Sequence, residues 1–180
     1  FSSSIFSELD SSNFLTVPIH EYITVDYDGV EDVVDAIGGV EVDIPFNMRY
    51  DDPYADPPLH INLKKGEQLL DGEKAIQFLR WRKNNSGSLG AEGDIGRIKR
   101  QQEFVISAIK KGIQPSNLTK AITIGLKNTK TSMDLKEAMY FGTKLAGLKD
   151  ENINAYSVVG EDEIIDGIWY FKHDAKATKE

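Results

Sequence analysis

Basic side chains are concentrated near the start of "GDIGRIKRQQEF" (93–104), a segment whose later residues have the apolar spacing of a helix. Arg97, Lys99 and Arg100 stand within four positions, and Gln101 follows them. The whole chain has a formal net charge of −8, so this concentration requires a local cause. Backbone N–H groups at a helix start attract anions, and the guanidinium fork matches phosphate oxygens. The segment therefore indicates an anion site.

A second pair of arginines, Arg80 and Arg82, lies in "FLRWRK" (78–83) at the predicted end of another helix. A connector rich in glycine and serine, 84–93, separates this pair from the first cluster. On a continuous helix Arg82 faces inward, whereas in an extended chain the two arginines share one side. The helix dipole alone favours basic residues at a C-terminus. Four arginines at two helix ends nevertheless suit a multivalent anion, and the pattern predicts a pyrophosphate clamp.

A helical wheel at about 100° per residue orients the side chains of the helix that begins at Asp94. It predicts a buried arc made by four apolar residues: Ile98, Val105, Ala108 and Ile109. Arg97 and Gln101 fall within this arc and Arg100 at its edge, while Lys99 points into solvent. A buried charge is costly without a partner, so Arg97 either pairs with a carboxylate such as that of Asp94 or binds an anion. Both interpretations remain open from the wheel alone.

Composition restricts the classes of protein to which this chain can belong. With 180 residues, of which 40% are hydrophobic and 28% charged, we expect one globular domain with its own core. The absence of cysteine excludes disulfides and thiolate metal sites. A pI near 5.0 argues against a nucleic-acid binder, whose surface is basic. No run approaches the roughly 20 apolar residues that cross a bilayer. Because the first residue is Phe1 and not Met, we expect the chain to be part of a longer protein.

Apolar spacing and turn residues predict the elements that position the arginines. Strands are predicted at 21–27, 40–45, 59–63, 153–160 and 167–171. Helices are predicted at 28–39, 71–83, 94–111, 115–126 and 135–148. Asp28, Asp71 and Asp134 are the predicted N-caps, and Gly38 with Gly39 ends the first helix. Irregular structure is predicted for the proline-rich 50–60, with turns at 64–68 and across the acidic 161–166.

Other polar residues rank below the arginines as site candidates. Asp51, Asp52 and Asp56 could ligate a hard cation, but a proline-stiffened turn with solvated acids is the favoured interpretation. The three histidines lack metal-ligand spacing: His20, His60 and His173. Ser86 and Ser88 lack the sequence context of a nucleophile elbow.

Five segments, taken in order, resemble the LytR–CpsA–Psr (LCP) family. They are "DYDGVEDVVDAIGGVEVDIP", "YDDP", "LHINLKKGEQLLDGEKAIQFLRWRKN", "GDIGRIKRQQEF" and "YSVVGEDEIIDGIWYF". The R-x-R motif followed by G-D-x-G-R-x-x-R-Q-Q is the most specific part. The resemblance is to the C-terminal two-thirds of the family's domain, and it implies an α/β fold with a mixed sheet sandwiched between helices, lacking the N-terminal strands. The implied organisation is a loosely ordered arm (1–19), a partial LCP-like domain (20–172) and a tail (173–180).

The resemblance also implies roles for the basic cluster. Such proteins transfer an anionic glycopolymer, a teichoic acid or a capsule, from a polyprenyl pyrophosphate carrier to peptidoglycan. The residues that would bind the pyrophosphate are Arg80, Arg82, Arg97 and Gln101. Arg97 and Arg100 are the predicted catalytic residues, and Asp94 is predicted to support them. The resemblance implies Mg²⁺ or Mn²⁺ as cofactor. Its acidic ligands belong to blocks that precede the matched region, so none is predicted in this chain.

Partners and location follow from the same resemblance. We expect the lipid-linked glycopolymer and peptidoglycan as partners and no nucleic acid. We also expect a membrane anchor preceding the chain, at the extracytoplasmic face of the plasma membrane of a Gram-positive bacterium. The lacking strands would leave a sheet edge exposed, which predicts a dimer.

Three other functions remain as hypotheses. The chain could be a non-catalytic module that binds the lipid pyrophosphate or a wall polymer. The same clamp could also hydrolyse a pyrophosphate with water as acceptor. Transcriptional regulation is disfavoured, because the chain is acidic and has no helix-turn-helix pattern.

Overall fold

The computed structural model describes residues 20–87, 93–147 and 160–174, without the side chains at 93–95, 162, 169, 171 and 173. The predicted arm and most of the tail lie outside these residues. The described strands are β1 (Ile23–Val25), β2 (Val40–Ile44), β3 (Met48–Asp52), β4 (Leu59–Leu63), β5 (Gly66–Leu70), β6 (Thr129–Thr131), β7 (Gly160–Ile165) and β8 (Ile168–His173). The helices are α1 (Tyr27–Ala36), α2 (Gly72–Arg80), α3 (Gly93–Gly112), α4 (Leu118–Lys127) and α5 (Leu135–Ala146).

The α/β class expected from the sequence is confirmed. Within the described ranges the strands pair as four two-stranded antiparallel sheets, β1 with β6, β2 with β5, β3 with β4, and β7 with β8, and a larger mixed sheet is not formed there. The β3–β4 hairpin is inserted between β2 and β5, so these four strands form a nested unit. Helix α2 follows this unit directly and packs against β4 and α1, while α3 packs against β2.

The N-cap of helix α1 lies two residues earlier in the sequence than predicted. Its N-cap is Asp26, whose side chain accepts a hydrogen bond from the backbone N–H of Gly29 at 2.9 Å, and Asp28 lies in the first turn instead. The predicted stop is confirmed, because Gly38 and Gly39 have φ values of 76° and 80°. Only glycine adopts such angles at little cost, so the chain can turn sharply from α1 into β2.

Three of the segments predicted as irregular form strands. Strand β3 runs into the proline-rich segment as far as Asp52, and β5 replaces most of the turn predicted at 64–68. The acidic segment forms β7, and only Asp166 and Gly167 turn the chain, with φ values of 53° and 80°. Cross-strand pairing outweighs the weak strand propensity of these acids and glycines. The strand predicted at 153–160 lies outside the described residues except for Gly160.

The predicted helix boundaries are closer to the structure than the predicted strands are. Asp134 caps α5, as predicted, and the structure adds a capping box with Glu137. Helix α4 begins at Leu118, three residues after Pro115, and α2 ends at Arg80 although its pattern extends to residue 83. The core lies where the nested strands meet α1, α2 and α3, and its buried residues are Val34, Ile37, Val40, Ile44, Met48, Ile61, Leu63, Leu70, Ala75, Phe78, Trp81 and Phe104.

Candidate functional site

The R-x-R motif lies where α2 ends and the chain becomes extended. Asp71 caps the start of α2 by accepting from the backbone N–H of Lys74 at 2.9 Å, which fixes where the helix begins. Trp81 leaves the helix with φ −64° and ψ 129°. The prediction that Arg82 faces inward on a continuous helix is therefore wrong, and its side chain is exposed. The chain is extended at Trp81, as the alternative required, and the placement of Arg80 and Arg82 on one side stays a prediction.

Neither arginine of this motif is neutralised by a carboxylate in the part of the chain that the structure describes. The guanidinium of Arg80 lies over the ring of Tyr27, with Cζ 5.0 Å from the ring centroid. Arg82 makes no hydrogen bond or ion pair with the described residues. Stacking on an aromatic face holds a guanidinium while leaving its edge N–H groups available to an anion.

Two asparagines attach the segment after the motif to β3. The side-chain oxygen of Asn84 accepts from the backbone N–H of Arg49 at 2.8 Å and from the indole N–H of Trp81 at 3.2 Å. The side chain of Asn85 accepts from the N–H of Asp51 at 2.7 Å and donates to its carbonyl at 3.0 Å. These amides hydrogen-bond to backbone groups along one edge of β3, as a neighbouring strand would. They fix the chain on both sides of Arg82.

The outer edge of β4 is covered by α2 in a similar way. The side-chain oxygen of Gln77 accepts from the backbone N–H of Asn62 at 3.1 Å, and its amide nitrogen donates to Glu73 at 3.3 Å. The β3–β4 hairpin is therefore held between α2 and the segment 84–85. Gln77, Asn84 and Asn85 were not among the residues predicted for the site. The only signal was a pair of asparagines directly after a helix, where amide side chains often bond to backbone groups.

Helix α3 docks on the end of α2 through two polar side chains. Gln101 donates its amide N–H to the carbonyl oxygen of Leu79 at 2.8 Å, and Arg100 donates to the carbonyl of Trp81 at 3.4 Å. The Leu79 carbonyl belongs to the last turn of α2, where no intrahelical N–H is available to it, and the Trp81 carbonyl follows directly after the helix. Arg97, half-buried, lies one turn before Gln101 on the same side of α3. The structure thus fixes the turn of α3 that follows Arg97 to the end of α2.

Arg100 is a buried residue, and not one at the edge of the apolar arc as predicted. Its side chain is 4% exposed and its guanidinium lies 5.2 Å from the ring centroid of Phe78 and 5.3 Å from that of Trp81. Between these rings it is placed to orient the end of α2. Its predicted catalytic role stays a prediction, and the geometry favours a positioning role.

The predicted buried arc of α3 is wrong at three of its four positions. Ile98, Val105 and Ile109 are exposed, whereas Arg100 and Phe104 are buried and Ala108 is half-buried. The helix faces the aromatic side chains at the end of α2, including Phe78, whose ring centroid lies 5.9 Å from that of Phe104. Counting apolar residues missed this orientation because the buried face contains an arginine and a glutamine. The prediction that Lys99 is solvated agrees with its exposure.

The remaining candidates are not assembled into a site. Asp51 contacts His60, its cross-strand neighbour, and Asp52 accepts from the N–H of Tyr54 at 3.1 Å, as turn residues do. Among residues 20–87, 93–147 and 160–174, no group of three or more histidines and acids could hold a metal ion. The side chains of Asp94 and His173, and the whole of Ser88, lie outside the described atoms. His20, Asp56 and Ser86 are exposed.

Acidic side chains meet where α1 contacts α2. Loss of hydration raises the pKa of the Glu31 carboxyl, and the negative charges of Asp35 and Glu73 raise it further. Nearby, the hydrogen bond from the Lys74 side chain holds the pKa of Asp71 below its usual value. A carboxylate of Asp35 accepts from the N–H of Gly72 at 2.7 Å and so joins α1 to the start of α2.

Comparison with known proteins adds to this geometry. The chain matches the model of the LytR_cpsA_psr family over residues 11–180. It is 34% identical over 168 residues to TagV of Bacillus subtilis, a polyisoprenyl-teichoic acid–peptidoglycan teichoic acid transferase, and this match covers 91% of the chain and 41% of TagV. The crystal structure of B. subtilis TagV has a TM-score of 0.76 at 29% identity, covering 99% of this chain and 67% of that one.

A second solved structure, of TagT bound to LIIa-WTA, has a TM-score of 0.73 at 25% identity and covers 96% of this chain and 62% of that one. The chain spans less than half the length of the TagV sequence that it matches. Within the described residues, no helix has the length and apolarity needed to cross a bilayer.

Proposed function

The chain belongs to the LytR–CpsA–Psr family, and we propose that it binds a glycopolymer linked to a polyprenyl pyrophosphate and takes part in transferring the polymer to peptidoglycan. The name of the TagV relative, a polyisoprenyl-teichoic acid–peptidoglycan teichoic acid transferase, supports the class of donor and acceptor. The same proposal puts the protein at the extracytoplasmic face of the membrane in a Gram-positive bacterium, held there by an anchor preceding the chain.

The proposal rests mainly on the R-x-R motif, because its arginines lack acidic partners among the described residues. In a chain with net charge −8, Arg80 and Arg82 have no acidic partner within the described residues. Pairing with protein carboxylates therefore does not explain these two arginines there. The docking of α3 adds Arg97 from a second element, and an anion held from two elements is fixed in position as well as neutralised.

The basic side chains would contribute most as charge develops. In the proposed step the acceptor hydroxyl attacks the phosphorus that bears the sugar. A new P–O bond forms, the bridging P–O bond of the pyrophosphate breaks, the hydroxyl proton is released, and polyprenyl phosphate leaves. Negative charge grows on the leaving phosphate, where the guanidinium groups would stabilise it, and that of Arg80 is already held over the Tyr27 ring.

The expected divalent cation remains part of the proposal only by family membership. A metal at such a site would share the phosphate charge. The described residues near the arginines do not offer a set of ligands for it. No part of the arginine chemistry above depends on one.

An exposed apolar stripe gives the lipid a surface on the helix that carries Arg97. Ile98, Val105 and Ile109 lie on one face of α3 and are 40%, 49% and 39% exposed. Apolar surface of this kind suits a polyprenyl chain. We include contact between the stripe and the lipid in the proposal.

The test is a transfer assay with purified lipid-linked teichoic acid, Mg²⁺ and peptidoglycan, comparing the full chain with its Arg82→Ala variant. Polymer covalently attached to peptidoglycan, lost in the variant, is the expected result. Binding of the lipid without any product would favour the binding module, and free polymer phosphate formed equally without peptidoglycan would favour hydrolysis. Salt-sensitive binding to DNA, with no binding of the lipid, would revive transcriptional regulation.

A further inference from the structure

We propose that the groove between the β3–β4 hairpin and α2 is a binding site for an uncharged, hydroxyl-rich saccharide. The groove has a volume of about 630 Å³, and all of its lining residues except Ile61 carry a polar group in the side chain. The inference rests on the proposed function, because it assigns to the glycan a place next to the arginines that would hold the pyrophosphate. It concerns a different part of the ligand and has its own residues.

The floor of the groove is the outer face of the hairpin. Arg49 lies directly opposite Asn62, and Asp51 directly opposite His60. The alternate residues of the same strands, Met48, Ile61 and Leu63, are buried on the other face. Because side chains alternate along a strand, the core fixes this register, and with it the row of polar groups that faces outward.

The sides of the groove are held in place before any ligand binds. On one side Gln77 accepts from the backbone of Asn62 and donates to Glu73. On the other side Asn85 bonds to both backbone groups of Asp51. A site whose walls are already ordered loses less conformational entropy on binding than a flexible surface does.

Two side chains of the lining have their hydrogen-bonding groups unused. In the part of the chain that the structure describes, the Arg49 guanidinium and the Asn62 carboxamide have no hydrogen-bond or ion-pair partner. Together they offer several donors and one amide acceptor on directly opposite residues. Vicinal hydroxyls, which both donate and accept, match this combination.

The charge of the lining distinguishes this groove from the arginine cluster. Two basic side chains, Arg49 and Lys74, are balanced by two acids, Asp51 and Glu73. Lys74 is in addition paired with Asp71 at 2.7 Å. Such a balance gives no excess attraction for a repeating polyphosphate, and it favours a ligand that hydrogen-bonds without net charge.

The groove is also next to the proposed pyrophosphate site along the chain. Gln77 lies three residues before Arg80 on α2, a rise of about 4.5 Å. Asn85, at the other side, lies three residues after Arg82. A saccharide in the groove would be either the first sugars of the donor attached to the pyrophosphate or a glycan strand of the peptidoglycan acceptor.

The test uses the double variant Arg49→Ala/Asn62→Ala in the full chain, with Lys64→Ala as control. The two groove side chains make no hydrogen bond or ion pair with the described residues, and Lys64 is an exposed basic residue outside the lining. Calorimetric titration compares three probes: a short polyprenyl pyrophosphate, the same lipid pyrophosphate bearing a disaccharide, and a soluble uncharged peptidoglycan glycan fragment. Unchanged thermal unfolding establishes that the variants are folded.

We expect the double variant to bind the unglycosylated lipid as the wild type does and to bind one saccharide probe about tenfold more weakly. Loss on the disaccharide lipid assigns the groove to the donor, and loss on the glycan fragment assigns it to the acceptor. Equal saccharide affinities of variant and wild type, or no saccharide contribution to wild-type binding, overturn the inference. Failure of the proposed function would instead appear as equal binding of the unglycosylated lipid by wild type and Arg82→Ala.

Discussion

The amide nitrogen of Gln101 donates to the carbonyl oxygen of Leu79 at 2.8 Å, and this hydrogen bond joins the beginning of α3 to the end of α2. The two helices carry the two halves of the predicted clamp. Their mutual position therefore depends on a residue that the family resemblance assigns to the ligand. Gln101 has a structural role in addition to any contact with the pyrophosphate.

Gln101→Glu should destabilise the protein, because a carboxylate would replace the N–H donor that faces the Leu79 carbonyl. We expect a loss of about 1–3 kcal/mol in the free energy of unfolding, the cost of leaving a partly buried acceptor without its donor. Gln114→Glu makes the same charge change at an exposed position and is the control. Urea denaturation of both variants checks this, and equal stabilities would mean that the hydrogen bond does not hold α3.

Arg100→Ala should cost about 2–4 kcal/mol of stability, since it removes a buried side chain that lies over two aromatic rings. Lys99→Ala, one residue away and exposed, should change stability by less than about 0.5 kcal/mol. Arg100→Met separates positioning from ligand contact, because methionine fills the space between the rings without a charge. We expect it to recover most of the stability and the affinity for a lipid pyrophosphate. Recovered stability with lost affinity would show that Arg100 contacts the ligand.

Gly39→Ala should destabilise the protein more than Gly38→Ala. Both residues have a positive φ, which costs an alanine about 1–2 kcal/mol. At Gly39 the added Cβ would also lie 2.7 Å from the carbonyl oxygen of Leu70, whereas at Gly38 nothing lies within 4 Å. We expect about 3 kcal/mol or more at Gly39 and about 1–2 kcal/mol at Gly38 in denaturation experiments. Equal losses would contradict the close approach of β5.

Glu31→Gln should stabilise the protein at neutral pH. Burial and neighbouring acids raise the pKa of Glu31 in the folded state above its value in the unfolded state. The stability that Glu31 contributes is therefore full at a pH below the pKa of the unfolded state, and it is lost as the pH rises through the pKa of the folded state. Glutamine removes this loss. In thermal unfolding the variant should be more stable than the wild type at pH 7, by less than about 1 kcal/mol in the free energy of unfolding. At pH 3 the two proteins should be equally stable. Added salt should reduce the difference, and a variant less stable at pH 7 would contradict the account.

Local signals in the sequence predicted several of the helix ends. The cap at Asp71, the cap at Asp134 and the glycine pair after α1 are short-range features, and each is present in the structure. The N-cap Asp26 was missed because Asp28 has the same side chain two residues later. Strand β3 was missed because its stability comes from pairing with β4 and from the amides of Asn84 and Asn85, which no local propensity records.

The orientation of α3 could not be predicted from the positions of its apolar residues. The wheel assigned Ile98 and Val105 to the core, but Arg100 and Phe104 are the buried residues. A guanidinium enters the interior here because Phe78 and Trp81 supply two aromatic faces, and those rings are brought there by α2. This is tertiary information. The clamp residues were proposed from the sequence because residue type and spacing suffice to suggest an anion, and their binding role stays a prediction.

The central claim is that the R-x-R motif binds pyrophosphate, and calorimetric titration of a short polyprenyl pyrophosphate tests it most directly. Arg82→Ala is compared with Lys83→Ala, which removes the same charge from the next residue, itself exposed. The account predicts that Arg82→Ala weakens binding by about 10- to 150-fold. Lys83→Ala should stay within about twofold of the wild type, as expected for a screened surface charge. Equal affinities of the two variants would contradict the claim.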